Sequence, residues 1–563
     1  MMKNMAGRGA ALACLILMAA LTGAGAAAVD LRGLIQAQLG AGKKRVIVPA
    51  GRYLVAPSHG VCLDFRNLTN VDIVAKGAEM VCTETSRAVN FEHCRNVRLT
   101  GLTVDYDPLP FTEGRITALA PDKSWVEFQV AAGYPAYTGG SRVEIFDPAT
   151  GELRRETRGW DMNYTTTSPG RHRLGKGNGY RYDTNWDMEE PGDILVADQC
   201  SAGGTKDHAV VASHCEGLKL EEVTIYASPC FGFLELDCSG SIYRRCRVDR
   251  RSPADDPVKR ELPRYRSLDA DAFHSIGAVK GPAILGCTAK FQGDDCVNIH
   301  GTYDLVTGCN GNEARVAAVR ELGIEPGDDV QFIPYAGARP PDGKAAKVEP
   351  DGGITEAERK FIRAMPLDEN LRKALLRPTT RFFKITLEKA AALPMGSGIC
   401  ASEREGDGCE VRDCDFGFNR SRGIIIKASH AKVTGNRLTH DWMAAVLVSP
   451  EFFWWLEAAC PSDVAVENNI IDGCRRTAIE VTAQGGDGKP LAAGALRDVV
   501  IRRNTIKNSP WPNIRVTSAA GLVLQKNRLD ATNNETFSPA LSVRWHWGTN
   551  RPAAVLLSDD GSK

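Results

Sequence analysis

The chain carries no excess of either charge: 69 Lys and Arg balance 69 Asp and Glu, for a formal net charge of zero. That balance argues against nucleic acid or an anionic membrane surface as the partner and favours a neutral one. Aromatic residues are sparse at 7%, and runs with the helical period are scarce. Together with 55 glycines, this points to a turn-rich β architecture. After the first thirty or so residues no apolar run is long enough to cross a bilayer as a helix. What remains is a chain of 563 residues with 43% hydrophobic and 25% charged content. Those are globular values, but the length is too great for one ordinary compact domain unless it is a solenoid or a large barrel.

Residues 1–28 read as a secretory leader. Lys3 and Arg8 give a basic start, Ala10 to Leu21 form a short apolar run, and small residues around Ala26 and Ala28 offer cleavage sites. The expectation is an exported protein, periplasmic or extracellular in a bacterium. Sixteen of the seventeen cysteines follow the leader. Export permits disulfides, but the repeat described next places several of these cysteines elsewhere.

A six-residue signature recurs: an apolar residue, two free positions, then Asn, Cys or an aliphatic residue, one free position, and an apolar residue. It occurs at Leu99–Val104, Leu220–Ile225, Tyr243–Val248, Ile284–Ala289, Val411–Phe416, Val433–Leu438, Val466–Ile471, Ile501–Ile506 and Leu524–Leu529. Start-to-start offsets are 23 from 220 to 243, 22 from 411 to 433 and 23 from 501 to 524. A period in the low twenties with short strands means a solenoid. The leucine spacing and helical half of a leucine-rich repeat are absent, so the reading is all-β: a right-handed parallel β-helix. The fourth signature position becomes an inward stack, where Asn bonds turn backbone from coil to coil. Cys246, Cys287 and Cys414 at that position are expected as buried thiols.

Two stretches break the period. The β-helix is expected over 29–106, 201–309 and 398–550, with one small β module, barrel-like, inserted at 107–200 and another at 310–397. Both modules contain the same turn-then-strand cue, Glu190-Pro191-Gly192-Asp193 and Glu325-Pro326-Gly327-Asp328. The second also holds a helix from Thr355 to Met365. Long insertions in solenoids gather on one face, often the binding face.

The chemistry centres on residues 269–301. Asp271 lies 23 residues before Asp294, one coil, so the two are expected to stack roughly 5 Å apart on neighbouring rungs. Asp295 follows directly, and Gly293 is read as the freedom that lets both face outward. Three carboxyl groups so close repel, which raises at least one pKa and sets a protonated acid beside an ionised base. Glycoside hydrolysis needs that division of labour. Asp269 is a spare acid nearby. His274, Asn298 and His300 flank the set as candidate substrate contacts, against the plainer reading of structural side chains. Arg422, Lys427 and Glu480 stand on later strands and are candidate contacts, against solvated or strand-surface roles. Phe452-Phe453-Trp454-Trp455 interrupts a coil and reads equally as a sugar-stacking loop or a hydrophobic plug.

The run Asp269-Ala270-Asp271 with Gly293-Asp294-Asp295 resembles the polygalacturonase layout (glycoside hydrolase family 28), with an Asp one coil before an Asp pair. Arg422 to Lys427 is similar to that family's later Arg-x-Lys element with longer spacing. The family's Gly-His-Gly motif is missing, and the second insertion occupies the gap. The stretch is more similar to glycoside hydrolase family 110, exported bacterial α-1,3-galactosidases built as a β-helix with inserted barrels. The Asn298-Ile299-His300-Gly301 ending carries that resemblance too. It implies exo-acting removal of terminal α-1,3-linked galactose, as on blood-group B type glycans, by metal-independent hydrolysis with inversion and no cofactor. By analogy with the polygalacturonase arrangement, Asp294 is the general acid, while Asp271 and Asp295 hold and activate water. Two other readings stay open. One is a polygalacturonase-like hydrolase or a pectate-lyase-like eliminase whose acids bind calcium. The other is a β-helical glycan-binding protein without turnover. Homodimerisation is left open by the sequence.

Overall fold

The computed structural model describes residues 30–122, 124–139, 143–155, 160–176, 189–198, 207–509, 512–529 and 555–557. The leader lies outside them. Three parallel sheets run the length of the molecule, and each coil adds one short strand to each sheet in sequence order. One sheet begins at Arg45–Ile47, the second at Gly51–Val55 and the third at Val61–Arg66. The third carries the site and is called the site sheet below. The helix Leu31–Gly40 turns Leu31 and Ile35 into the N-terminal end of the core. This is a parallel β-helix.

Side chains alternate between faces along each strand. On the site sheet Phe233, Phe273, Val297, Ile424, Val446 and Ile479 are successive register partners, and all are buried in the core. Phe233 stacks on Phe273 at 5.0 Å between ring centroids. The neighbouring column, Leu234, His274, Asn298, Ile425, Leu447 and Glu480, points the other way.

The repeat signature owes its shape to one inward ladder. Asn436, Asn469, Asn504 and Asn527 each donate Nδ2 to a backbone carbonyl of the preceding coil, on Val411, Val433, Val466 and Ile501 respectively. The Asn oxygen of each rung accepts from the rung before: Asn436 N–H reaches Asn469 Oδ1 at 2.9 Å and Asn469 N–H reaches Asn504 Oδ1 at 3.0 Å. Cysteine fills the same position earlier and makes the same bond. The Sγ of Cys246, Cys287 and Cys414 donate to the carbonyls of Leu220, Tyr243 and Ile284. Cys414 N–H passes the ladder to Asn436 Oδ1 at 3.0 Å. All fifteen cysteines among the described residues are free thiols, and fourteen of them are buried.

The first insertion is a seven-stranded antiparallel sheet running from Phe111–Leu119 to Ile194–Asp198, with its own small core around Phe128, Val143 and Leu195. The second is a closed six-stranded barrel between Asp304–Asn310 and Gly398–Ala401. Their shared turn has one geometry in both. Glu190 N–H bonds Asp193 Oδ2 at 2.9 Å and Glu325 N–H bonds Asp328 Oδ2 at 2.8 Å, with Gly192 and Gly327 at φ of 103° and 99°. The expected helix is Glu356–Ala364, with Thr355 and Glu358 closing a reciprocal N-terminal cap. A second helix, Glu369–Leu375, follows it.

Candidate active site

Asp271 and the pair Asp294–Asp295 sit in the turns that lead into the site-sheet strands Phe273–Ile276 and Val297–Thr302. Register there pairs Phe273 with Val297, an offset of 24. The direct counterpart of Asp271 is therefore Asp295, and Asp294 lies one residue earlier; this corrects the expected stacking of Asp271 on Asp294. Each of the three offers a carboxylate oxygen within 4.8 Å of the others. Gly293 is needed for space rather than for a left-handed turn. A Cβ there would lie 2.5 Å from the Asp269 carbonyl and 2.8 Å from Glu144 Oε1.

The three carboxyls differ in surroundings. Asp271 and Asp295 are buried, whereas the Asp294 side chain keeps 24% exposure. Burial, and then the Asp294 carboxylate, push Asp271 well above the usual carboxylate range. Burial also pushes Asp295 up, against the pull of Arg422. Arg422 N–H donates to Asp295 Oδ1 at 2.8 Å. Asp294 Oδ2 is held by Arg420 at 3.0 Å. Arg420 also lies 3.6 Å from Glu144 of the first insertion, so that module reaches the carboxylate cluster.

A second polar layer lies beside the first. His274 Nδ1 is 2.7 Å from Asp271 Oδ2. His274 Nε2 meets His300 Nε2 at 3.1 Å, and His300 Nε2 lies 3.6 Å from Glu457 Oε1. Lys427, fully buried, is 2.9 Å from Glu457 Oε2, 3.2 Å from Glu451 Oε2, and donates to Asn298 Oδ1 at 3.0 Å. Arg422 bonds Glu451 at 2.6 Å. Burial holds His274 down at about 4 and His300 at about 3, so both rings are neutral near pH 7. The cation that keeps Glu457 ionised against its burial is therefore Lys427, although the histidines would reinforce it if charged. One face of the His274 ring is covered by Phe231, stacked at 4.4 Å.

Of the candidates from sequence, Asp271, Asp294, Asp295, His274, Asn298, His300, Arg422 and Lys427 come together. Two do not. Asp269 is buried beneath the cluster, 3.3 Å from Arg266. Glu480 is three rungs past Asn298 in the outward column and pairs with Arg515 at 2.8 Å. Glu451, Glu457 and Arg420 join the site without having been anticipated. The two glutamates bracket Phe452-Phe453-Trp454-Trp455, and Glu457–Ala458 folds back to pair antiparallel with Gly301–Thr302. Phe452 and Phe453 are buried as a plug, while Trp455 is 52% exposed, so the plug reading holds for the first two rings. A carboxylate on each side of an aromatic interruption was the available signal. Two groups have the composition to hold a cation: the three aspartates, and His274, His300 and Glu457.

A parallel β-helix with a buried carboxylate cluster on one sheet defines the class. No protein-family model matches the chain. Its curated relatives are α-1,3-galactosidases, to which it is homologous over most of its length. It is 22% identical to α-1,3-galactosidase B of Bacteroides thetaiotaomicron over 468 residues, covering 75% of this chain and 69% of the relative. It is 23% identical to α-1,3-galactosidase B of Phocaeicola vulgatus, covering 86% and 82%. Among solved structures it is similar to the endo-xylogalacturonan hydrolase of Aspergillus tubingensis, with 7% identity, 86% and 85% coverage and a TM-score of 0.39.

Proposed function

We propose that the protein is an exo-acting glycoside hydrolase that removes terminal α-1,3-linked galactose from glycans of the blood-group B type. The observation that carries this reading is the convergence of Asp271, Asp294 and Asp295 within 4.8 Å in a chain whose curated relatives bear the name α-1,3-galactosidase. In this reading the proton that the crowded carboxyls share moves to Asp294, the most accessible of the three, once substrate is bound, leaving Asp271 and Asp295 ionised, and Asp294 gives it to the departing oxygen. Arg420 on its Oδ2 fixes the direction in which the carboxyl points. Asp271 and Asp295 hold the attacking water at the floor. The proton shed by that water passes to the Asp271–Asp295 pair, so protons balance: one donated, one received.

The neutral polar layer suits a neutral sugar. Asn298, Lys427, Glu451, Glu457 and Arg422 offer donors and acceptors that hydroxyl groups can share, and the positive groups are already matched by carboxylates. A uronic acid would meet Glu451 beside both Arg422 and Lys427, and Glu457 beside Lys427 as well. Trp455, exposed between the two glutamates in sequence, is proposed to stack against the next sugar of the glycan.

The course of the reaction is proposed as single displacement with inversion, carried over from the family 110 resemblance. The nearest carboxyl oxygens, within 4.8 Å, fall short of the roughly 6.5–9.5 Å of inverting pairs and sit closer to the roughly 5–5.5 Å of retaining ones. Stereochemistry is thus a discriminating measurement. Proton NMR of the first galactose released from an α-1,3-galactosyl oligosaccharide should show the β anomer; an α-first product means retention. The leader residues carry the further proposal of export. No helix among the described residues is long and apolar enough to cross a membrane.

A further inference from the structure

We infer, resting on the reading of Asp294 as general acid, that Glu144 of the first inserted module is a positioning residue for the hydrolysis, acting through Arg420 to hold the Asp294 carboxyl in place and to offset the arginine's charge. Five side chains of alternating charge run from beneath the site up to Asp294. Asp269 lies 3.3 Å from Arg266, Arg266 3.5 Å from Glu144, Glu144 3.6 Å from Arg420, and Arg420 3.0 Å from Asp294. Four of the five belong to the β-helix part of the chain; Glu144 alone comes from the insertion, on the strand Val143–Phe146. Val143 and Ile145 of that strand pack into the module's own small core. Alternation turns Glu144 and Phe146 the other way, and Phe146 joins the core of the β-helix. Glu144, Arg266 and Asp269 are all buried, so their charges answer to one another rather than to water.

The turn that carries Asp294 is built around this intruding carboxylate. A side chain at position 293 would put its Cβ 2.8 Å from Glu144 Oε1, so the glycine before the acid leaves the room that Glu144 fills. Arg420 grips the same turn twice: Nε donates to the Gly293 carbonyl and Nη2 to Asp294 Oδ2. Asn419 Nδ2 donates to the Asp294 carbonyl at 2.9 Å. A guanidinium left alone beside a carboxyl favours the ionised form, which is the wrong form for a group that must deliver a proton. A second carboxylate on the same guanidinium offsets that pull and keeps the clamp. Asp271, Asp295, Arg422 and His274 also face Asp294; they belong to the coils and are common to every variant below.

The test compares two substrates on the full chain: an α-1,3-galactosyl oligosaccharide, whose departing alcohol needs a proton, and α-galactosyl fluoride, whose fluoride leaves without one. Glu144→Gln keeps the size and removes the charge. It should lower kcat on the oligosaccharide by about tenfold or more, with KM within about twofold, and slow the fluoride by less than about twofold. In an Arg420→Gln background, Glu144→Gln should cost no further turnover, since its effect runs through that arginine. Glu127→Gln, which breaks an ion pair with Arg173 elsewhere in the module, should leave both substrates at the wild-type rate. Circular dichroism checks folding; if Glu144→Gln does not fold, Glu144→Asp, which withdraws the charge from Arg420 by one methylene, is read by the same split. Equal losses on both substrates, no loss on the oligosaccharide, or losses that multiply with those of Arg420→Gln overturn the assignment, while galactose release by the wild type keeps the glycosidase reading. No release by the wild type removes that reading and the assignment with it.

Discussion

Replacing Lys427 with Met offers the sharpest view of how the polar layer is held together. The ammonium is fully buried and serves three partners: Glu457 at 2.9 Å, Glu451 at 3.2 Å and Asn298 Oδ1 at 3.0 Å. Methionine keeps the volume and removes the charge. Glu451 retains Arg422 at 2.6 Å, so its charge stays matched. Glu457 keeps only the weaker Asn298 Nδ2 contact at 3.3 Å and becomes a buried carboxylate without a cation. Breaking such a pair from one side costs about 3–5 kcal/mol. Adding Glu457→Gln removes the stranded charge and leaves only lost hydrogen bonds, about 1–2 kcal/mol. The double variant should therefore be more stable than Lys427→Met alone, by about 2–3 kcal/mol. Denaturant midpoints of the wild type, both single variants and the double variant measure it. The reasoning is refuted if Lys427→Met unfolds at the wild-type midpoint, or if the double variant is no more stable than it.

Other consequences follow from the same geometry. Asn469→Ala removes four ladder bonds and strands the buried Asn436 N–H, a loss of about 3–5 kcal/mol; Asn469→Cys should cost clearly less in the same denaturation assay, because Cys414 does this job for Cys287 N–H at 3.4 Å. Glu405 is pushed up from 4.5 to about 7 by burial, so the folded state holds a proton that the unfolded state releases; stability falls as pH rises through that window, by at most about 3 kcal/mol. Glu405→Gln should flatten the melting temperature between pH 5 and pH 8, and an unchanged slope would assign the effect elsewhere. Glu480→Gln should leave sugar turnover intact while loosening Arg515, since the pair lies three rungs away from Asn298; lost turnover in a folded variant would return Glu480 to the site.

The solenoid was legible because its repeat is a backbone requirement written in side chains. An Asn or Cys must bond the coil beneath, and apolar residues must alternate around it, so both recur at the period. The insertions were legible as interruptions, and their shared turn as a repeated four-residue cue. Register was harder. The 23-residue spacing of Asp271 and Asp294 counts between like residues, whereas stacking is set by Phe273 and Val297 at 24. Glu451 and Glu457 were hidden because their excursion leaves one coil and folds back on Gly301–Thr302 of another, a pairing with no periodic trace. Glu480 misled for the opposite reason. Its outward position was real, but the strands of Ile425 and Leu447 intervene between it and Asn298.

The central claim is that the three aspartates break a glycosidic bond to terminal α-galactose. It is tested most directly by galactose release from an α-1,3-galactosyl oligosaccharide, comparing the wild type with Asp294→Asn. The account predicts release by the wild type and a fall of about 100- to 10,000-fold in turnover for the folded variant, the usual contribution of a general acid, with sugar binding retained by calorimetry. No release by the wild type, or equal release by both proteins, would contradict it.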